Sequence, residues 1–402
     1  MKISKCRSCK NSKINKTFSL GKQAFTGIFP KYKNETIPSG ELSLVYCDSC
    51  NLLQLENSFD KKKLYGDNYG YMSSLNSSMT SHLSRKANLL KKYNLINGDL
   101  IIDIGSNDGT FLSFFQRKFN LIGIDPTIKK FRKNYRKDII KVENFFSKNA
   151  LTTYTKKKAK LITSIAMFYD LEDPIKFAED VYELLDKDGI WHLELSYMPL
   201  MIKNLSYDTI CHEHLEYYSL NSIKYIFDKV GFSIIDIQLN DINGGSFALT
   251  LSKNKNSNNK VVEWLLNQES KDNINNISTF KKFFLKISKQ KKDLKNLLEN
   301  LIDMKKKVYG YGASTKGNVI LQFSNINSKL LPLIGEVNPF KFNRYTPGTK
   351  IKIVSEATIK KNKPDYLLVL PWHFKDFIIK KEKRYLDSGG KLIFPLPQIE
   401  II

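Results

Sequence analysis

Residues 99–125 read DLIIDIGSNDGTFLSFFQRKFNLIGID. The apolar run Leu100 to Ile104 has the length of a buried strand, and a Gly/Asn/Asp loop follows it. A helix-like FLSFFQRKF and a second apolar run ending at Asp125 complete a β-α-β unit, half of a doubly wound sheet. Ligands of such sheets lie at the carboxyl ends of the strands. Gly105 and Gly109 let the backbone approach a ligand, and Asp125, twenty residues after Gly105, is placed to accept both hydroxyls of a ribose. The spacing is not G-x-G-x-x-G, and a loop carrying Asp103, Asn107 and Asp108 would repel a pyrophosphate. Carboxylates suit a cation, such as the sulfonium and ammonium of S-adenosylmethionine, so a methyl donor is favoured over a nicotinamide. Asp103, Gly105, Asn107, Asp108, Gly109, Asp125 and Pro126 are the candidate donor-binding residues.

The unit continues with AKLITSIAMFYDLEDP, a helix-like FAEDVYELLDKDG and the strand GIWHLELSY. The loops MFYDLEDP and SYMP should face the same pocket, because loops after strands carry chemistry in such folds. His192 lies inside the last strand and reads as a core histidine; His82, in a helical stretch, reads as solvated.

At 402 residues the chain exceeds one hydrophobic core, and two or three domains are expected. No apolar run approaches the roughly 18 residues of a membrane span, and MKISKCRSCK lacks a signal peptide's apolar stretch, so a cytoplasmic location away from membranes is expected. The net charge of +24 is almost all lysine, with seven arginines among 64 basic residues. Planar phosphate recognition favours arginine, so the charge reads as a solvated surface and not a nucleic-acid face.

Cys6 and Cys9 form one C-x-x-C pair, Cys47 and Cys50 another, with the strand-like ELSLVYC ending at the second. Two such pairs can close a tetrahedron of thiolates around a structural zinc ion. A redox role would need one pair and a thioredoxin-like helix start, which this spacing does not provide. Downstream, in LYGDNYGYMSS, Tyr69 and Tyr71 alternate across a backbone that Gly66 and Gly70 leave permissive and can be aimed together at a ligand.

Residues 207–220 read YDTICHEHLEYYSL, two of five histidines with a glutamate between them. A metal pair is disfavoured for His212 and His214, since H-E-H lacks the i, i+4 spacing that puts two ligands on one helical face. The carboxyl-terminal third opens with NKNSNNK and a lysine-rich helical stretch, a connector. KKVYGYGASTKGNVILQF, LPLIGEVNP, DYLLVLPWHF and KLIFPLP then read as a second small α/β domain. Lys316 and Asn318 stand at its helix start, where N–H groups and a cation would hold a phosphate; Ser314 and Asn243 complete the candidate acceptor-binding set.

The cysteine pairs, YxY before a helix, the SNDG loop, MFYDLEDP, YDTICHEHLEYYSL, INGGSF and GYGASTKGN occur in one order through nearly the whole chain. Together they resemble the nucleotide-sugar C-methyltransferases of bacterial deoxysugar pathways. The resemblance implies a Rossmann-like class I methyltransferase core with a small zinc-binding amino-terminal domain and a second small α/β carboxyl-terminal domain. The implied domains are 1–80 (zinc), 81–255 (methyltransferase), 256–300 (helical connector) and 301–402 (acceptor-gripping). The implied acceptor is a nucleoside-diphosphate-linked 4-keto-6-deoxy sugar, methylated by S-adenosylmethionine beside the ketone. His214 then removes the proton, Glu213 holds an imidazole in its basic tautomer or stabilises its protonated form, and Tyr69, Tyr71 or Tyr217 donates to the enolate oxygen. Cys211 stands where relatives carry tyrosine, and Ile165, Ala166 and Asp170 stand where relatives show Asn and His. A monomer is expected. The competing readings are O- or N-methylation of a related nucleotide sugar, and a zinc-ribbon RNA-binding protein with a degenerate methyltransferase core.

Overall fold

The computed structural model describes residues 1–65, 71–254 and 259–402, built around three sheets. The first joins Ile14–Ala24, Ser39–Cys47 and Leu52–Leu55 in antiparallel register. Phe18 and Leu20 on one strand, and Leu42, Leu44 and Tyr46 on the next, recur at every second position and bury one face, as the two-residue repeat of a strand requires. That face packs on the helix Ile277–Asp303 through Phe280, Phe283 and Ile287. The fourth strand of this sheet is Glu216–Tyr217, from the histidine-bearing stretch.

The second sheet has the order Ser233–Asn240, Ser246–Ser252, Leu185–Ser196, Ala159–Ile165, Leu100–Ile104, Asn120–Ile124, Ile140–Val142. Counted along the sequence from Leu100, this is 6-7-5-4-1-2-3, with strand 7 antiparallel to both neighbours. That is the class I methyltransferase topology. The central strand Leu100–Ile104 is buried at every position, which explains its unbroken apolar run. The expected helix after the glycine loop shrinks to Thr110–Ser113. Thr, Phe and Ser are indifferent helix formers, and Phe111 and Phe115 bury themselves without a longer one. Pro174–Leu184 is a full helix, started by Pro174 and by the Asp173 side chain accepting from the Lys176 amide.

His82 is not solvated. It is buried in the helix Ser77–Leu90, 2.5 Å from Glu194, whose other oxygen meets Lys86 at 2.9 Å. A carboxylate on a central strand must find partners, and this helix supplies two. His192 is the core histidine expected, buried with Nδ1 3.0 Å from Thr250 Oγ1.

The third sheet runs Lys352–Ser355, Leu333–Glu336, Val308–Tyr311, Tyr366–Val369, Lys391–Phe394, Glu400–Ile401, parallel except for the last strand. Its order also reverses beside its first strand, which opens a crevice at the carboxyl ends. The long helix binds the parts together: Gln290 accepts from Tyr207 Oη at 3.0 Å and donates to the Pro395 carbonyl at 2.7 Å. Among the described residues no helix is long and apolar enough to cross a membrane.

Candidate active site

One cavity of about 690 Å³ touches the carboxyl ends of both parallel sheets. Its walls include Gly105 and Asp125 of the middle sheet, Asp170, Glu213 and His214 between the sheets, and Lys316 and Glu336 of the last sheet. The volume falls in the roughly 300–1,000 Å³ range of small-ligand sites.

At the middle-sheet end, Gly105 and Gly109 adopt positive φ values of 75° and 78°. A side chain at Gly109 would strike the Tyr135 ring at 2.6 Å. Asp125 accepts from the Asn107 amide at 2.9 Å and from the Thr127 amide and hydroxyl at 2.7 and 2.6 Å. Asp103 accepts from Thr163 Oγ1 at 2.6 Å. Burial pushes both carboxyls up, Asp103 to about 7, with the Asp125 charge adding to its shift. Two desolvated carboxyls at one end of the cavity suit a cation-bearing ligand with hydroxyls, which is the chemistry of S-adenosylmethionine.

Asn107 and Asp108 are spent differently from expectation. Their side chains accept from the amides of Ser73 and Ser74, both at 3.0 Å, and Asn107 Nδ2 donates to the Tyr71 carbonyl at 3.3 Å. They dock the segment carrying Tyr71 onto the glycine loop. Asp108 and Gly109 are absent from the cavity wall, whereas Asn107, Pro126 and Tyr71 belong to it. Tyr69 lies outside the described residues.

The stretch 207–220 is clamped between two sheets. Glu216 and Tyr217 pair with Gln54 and Leu53, Tyr218 bridges to Tyr197, and the Leu215 amide donates to the Tyr169 carbonyl at 2.7 Å. The clamp separates the two histidines. His212 is fully buried between the rings of Phe25 and Phe59, 4.6 and 4.7 Å away, and Nε2 donates to the Gly40 carbonyl at 3.3 Å. His214 lines the cavity under the Tyr169 ring, 4.2 Å between centroids. Its Nδ1 lies 2.7 Å from the Thr209 carbonyl oxygen. A carbonyl only accepts, so Nδ1 carries the proton and Nε2 keeps the lone pair. Burial foremost, then the Lys316 charge, lowers the His214 pKa to about 3, against the opposing Thr209 bond.

Two expected partners are therefore corrected. Thr209, and not Glu213, fixes the tautomer: the buried Glu213 carboxyl neighbours Cys211, Thr26 and Asp170, and its Oε2 has no hydrogen-bond partner among the described residues. Tyr217 donates its only O–H to the His214 carbonyl at 3.0 Å, which leaves none for an enolate. Burial raises the Asp170 and Glu213 carboxyls above the ordinary range, each in the cavity wall beside the other.

At the carboxyl-terminal end, Ser314 caps the helix Thr315–Phe323 through the Gly317 amide and lines the cavity. Asn318 does not line it: its side chain is buried and donates to the Thr26 carbonyl at 2.8 Å, a strut to the amino-terminal region. Lys316 reaches back to the Asn243 carbonyl at 2.7 Å, in the same wall as His214. Sequence reasoning missed Glu336, His373 and Asp208. Glu336 ends a strand next to the first strand of its sheet, much as Asp125 directly follows Asn120–Ile124, so the same signal would have found it. His373 lines the cavity, and Asp208 lies behind it, bonded to Trp372 from 164 residues away; no local pattern announces either.

The four cysteine sulfurs lie within 4.8 Å of one another, with Cys6 to Cys50 at 3.5 Å and Cys9 to Cys47 at 3.4 Å. A zinc tetrahedron with Zn–S bonds of about 2.3 Å has edges of about 3.8 Å, so the set fits a closed structural site. Arg7, inside the first pair, donates to the Leu55 carbonyl at 2.6 Å and ion-pairs with Glu172 of the MFYDLEDP loop at 3.3 Å. The zinc knuckle thereby supports the strand that pairs with Glu216–Tyr217 and the loop that carries Asp170.

Comparison with known proteins finds three consecutive matches along the sequence. Residues 6–65 match a zinc binding domain, 76–237 a methyltransferase domain and 241–397 the C-methyltransferase C-terminal domain. C-methyltransferase NovU of Streptomyces niveus is 27% identical over 411 aligned positions, covering 100% of this protein and 97% of its own length. A tRNA U34 carboxymethyltransferase of Campylobacter jejuni is 27% identical over 195 positions, 45% of this protein and 62% of its own length. Among solved structures, magnesium protoporphyrin IX methyltransferase from Synechocystis with bound SAH is 14% identical, with a TM-score of 0.35 over 48% of this protein and 92% of that one. Three matches that tile the sequence in order, with one relative similar to it end to end, mark this protein as an S-adenosylmethionine-dependent methyltransferase with a zinc-binding amino-terminal domain, similar throughout its length to a C-methyltransferase.

Proposed function

We propose that this protein methylates a ring carbon of a nucleoside-diphosphate-linked keto-deoxy sugar, with His214 as the base that removes a proton from the carbon beside the ketone. The observation that carries this reading is the His214 tautomer: a neutral imidazole in the cavity wall, its Nδ1–H committed to Thr209, with Nε2 left as the lone-pair nitrogen. A C–H bond is not nucleophilic, but the neighbouring carbonyl acidifies it. Its electron pair becomes the C=C bond of an enolate while the proton passes to Nε2. The resting pKa of about 3 makes a weak base, and the negative charge growing beside the ring raises it as the proton moves. When bound, S-adenosylmethionine supplies the methyl group that this carbon accepts. On this reading Asp125 takes the donor's ribose hydroxyls, Asp103 faces its cationic end, and Gly105 and Pro126 give the backbone approach.

The nucleotide end belongs to the last sheet. Gly312, Ser314 and the start of the helix Thr315–Phe323 suit phosphates, Glu336 suits a ribose, and the exposed Val337 and Phe377 give apolar walls for a base. The division of labour is zinc-stapled support over 1–80, donor binding over 81–255, a helical connector over 256–300 and acceptor grip over 301–402.

The test is a panel of dTDP-, GDP- and UDP-linked 4-keto-6-deoxy sugars incubated with methyl-labelled donor and read by fragment mass spectrometry. A labelled methyl on a ring carbon next to the ketone is expected. Label on oxygen or nitrogen, or on none of the panel, contradicts the proposal.

A further inference from the structure

The proposed enolisation leaves negative charge on the former ketone oxygen, and Tyr217, bonded to the carbonyl of the base itself, has no O–H to offer it. Lys316 stands where a cation is needed. It comes from the last sheet's first loop, yet its ammonium is held over the middle region by the Asn243 carbonyl at 2.7 Å. Asn243 has φ 57°, a left-handed conformation that asparagine tolerates, between Asp241 and the glycine pair Gly244–Gly245. Burial lowers the Lys316 pKa and the Asp208 charge opposes that shift; Asp208 is itself fixed by Trp372 Nε1 donating to Oδ2 at 2.8 Å, while its buried Oδ1 has no hydrogen-bond partner among the described residues. Asp208 and Thr209 are consecutive, so a single turn, Tyr207–Thr209, holds the cation through one residue and orients the base through the next.

We propose that Lys316 is the cation that receives the enolate oxygen, with Asn243 and Asp208 as the residues that position it. An ammonium has three N–H donors, and the bond to Asn243 uses one. As the C–H bond breaks and its proton goes to His214 Nε2, the carbonyl π pair moves onto oxygen, where an N–H of Lys316 donates to it. Lys316 keeps its protons throughout. When the carbon gains its methyl group the C=O bond re-forms, the oxygen becomes neutral, and the imidazolium gives its proton to solvent. The charge of Lys316 also reaches His214 and the second cavity imidazole, His373, lowering the pKa of each beyond the effect of burial, which places the ammonium within electrostatic range of both rings. The assignment replaces the phosphate-holding role that the position of Lys316 at a helix start suggests.

The inference rests on the enolate reading, and the experiment separates the two. Wild type, Lys316→Met and Lys316→Arg are each given S-adenosylhomocysteine and the same 4-keto-6-deoxy probes in D₂O, and deuterium uptake beside the ketone is followed by NMR. Binding of dTDP, GDP and UDP is measured in parallel by calorimetry, and zinc content and melting temperature report folding. Lys316→Met is expected to lower enzyme-catalysed exchange by roughly 100-fold or more, the scale for removing an oxyanion donor, with nucleotide affinity held within about twofold. Lys316→Arg is expected to retain part of the exchange. Unchanged exchange in Lys316→Met overturns the proposal, as does a collapse of nucleotide affinity with normal exchange at saturation, which would return Lys316 to the phosphates. If wild type accelerates no exchange in any probe while binding nucleotide, the enolate reading itself falls, and this proposal with it.

Discussion

His214 Nδ1 donates to the Thr209 carbonyl oxygen at 2.7 Å, across the four intervening residues Ile210, Cys211, His212 and Glu213. A backbone acceptor cannot lend or take a proton, so this bond sets the tautomer and orientation of the ring without taking part in proton transfer. The loop itself is held from outside, by Glu216–Tyr217 on the zinc-supported sheet and by Leu215 on the Tyr169 carbonyl. The geometry of His214 is thus set from both sides, by the first sheet and by the Phe168–Asp170 turn.

The metal should behave as a staple. Cys47→Ser is expected to lose zinc and soluble yield together, because three thiolates leave the knuckle open and Leu52–Leu55 loses its support. Metal analysis of the purified protein should find one zinc per molecule; well-folded protein without zinc would refute this.

Donor binding should depend on Asp125. Asp125→Ala is expected to weaken S-adenosylhomocysteine binding by roughly 1.5 to 3 kcal/mol, the range for losing a charge-assisted acceptor, measured by calorimetry. The same change frees the Asn107 amide and the Thr127 amide and hydroxyl. Unaltered affinity would move the donor elsewhere.

Part of this site was legible in the sequence, and the rest was hidden for identifiable reasons. The C-x-x-C pairs are a local pattern that folding brings together as expected, and Asp125, just past a buried strand, lies in the cavity wall where its position pointed. Asn107 and Asp108 looked like ligand contacts because they sit in the right loop, but unpaired amides of Ser73 and Ser74 claimed their side chains first. Asn318 and Lys316 stand two residues apart at one helix start, and the helix turns them to different neighbours, Thr26 and Asn243. His82 looked exposed because its partner Glu194 is 112 residues away. Contacts of that range set side-chain roles, and no local spacing encodes them.

The pH behaviour of His214 follows from its surroundings. Its folded pKa, about 3, lies below the ordinary 6.5, so the folded protein resists a proton that the unfolded state accepts. The stability this group contributes is present above pH 6.5 and lost as pH falls toward 3, at up to about 1.4 kcal/mol per pH unit. In NMR titration its ring signals should stay those of a neutral imidazole between about pH 8 and pH 5. Lys316→Met should raise the midpoint, since it removes a positive charge, while burial still holds it low. A midpoint near 6.5 in the parent protein would show the ring to be solvated.

The central claim is that His214 takes a proton from carbon, and the most direct measurement compares wild type with His214→Gln on a verified keto-sugar acceptor. Deuterium exchange beside the ketone, without methyl donor, and methyl transfer, with it, are followed on the same preparations. The account predicts that both rates fall together by roughly 100-fold or more, the usual worth of a positioned general base, with zinc content and S-adenosylhomocysteine affinity unchanged. Near-normal exchange and turnover in His214→Gln would contradict it.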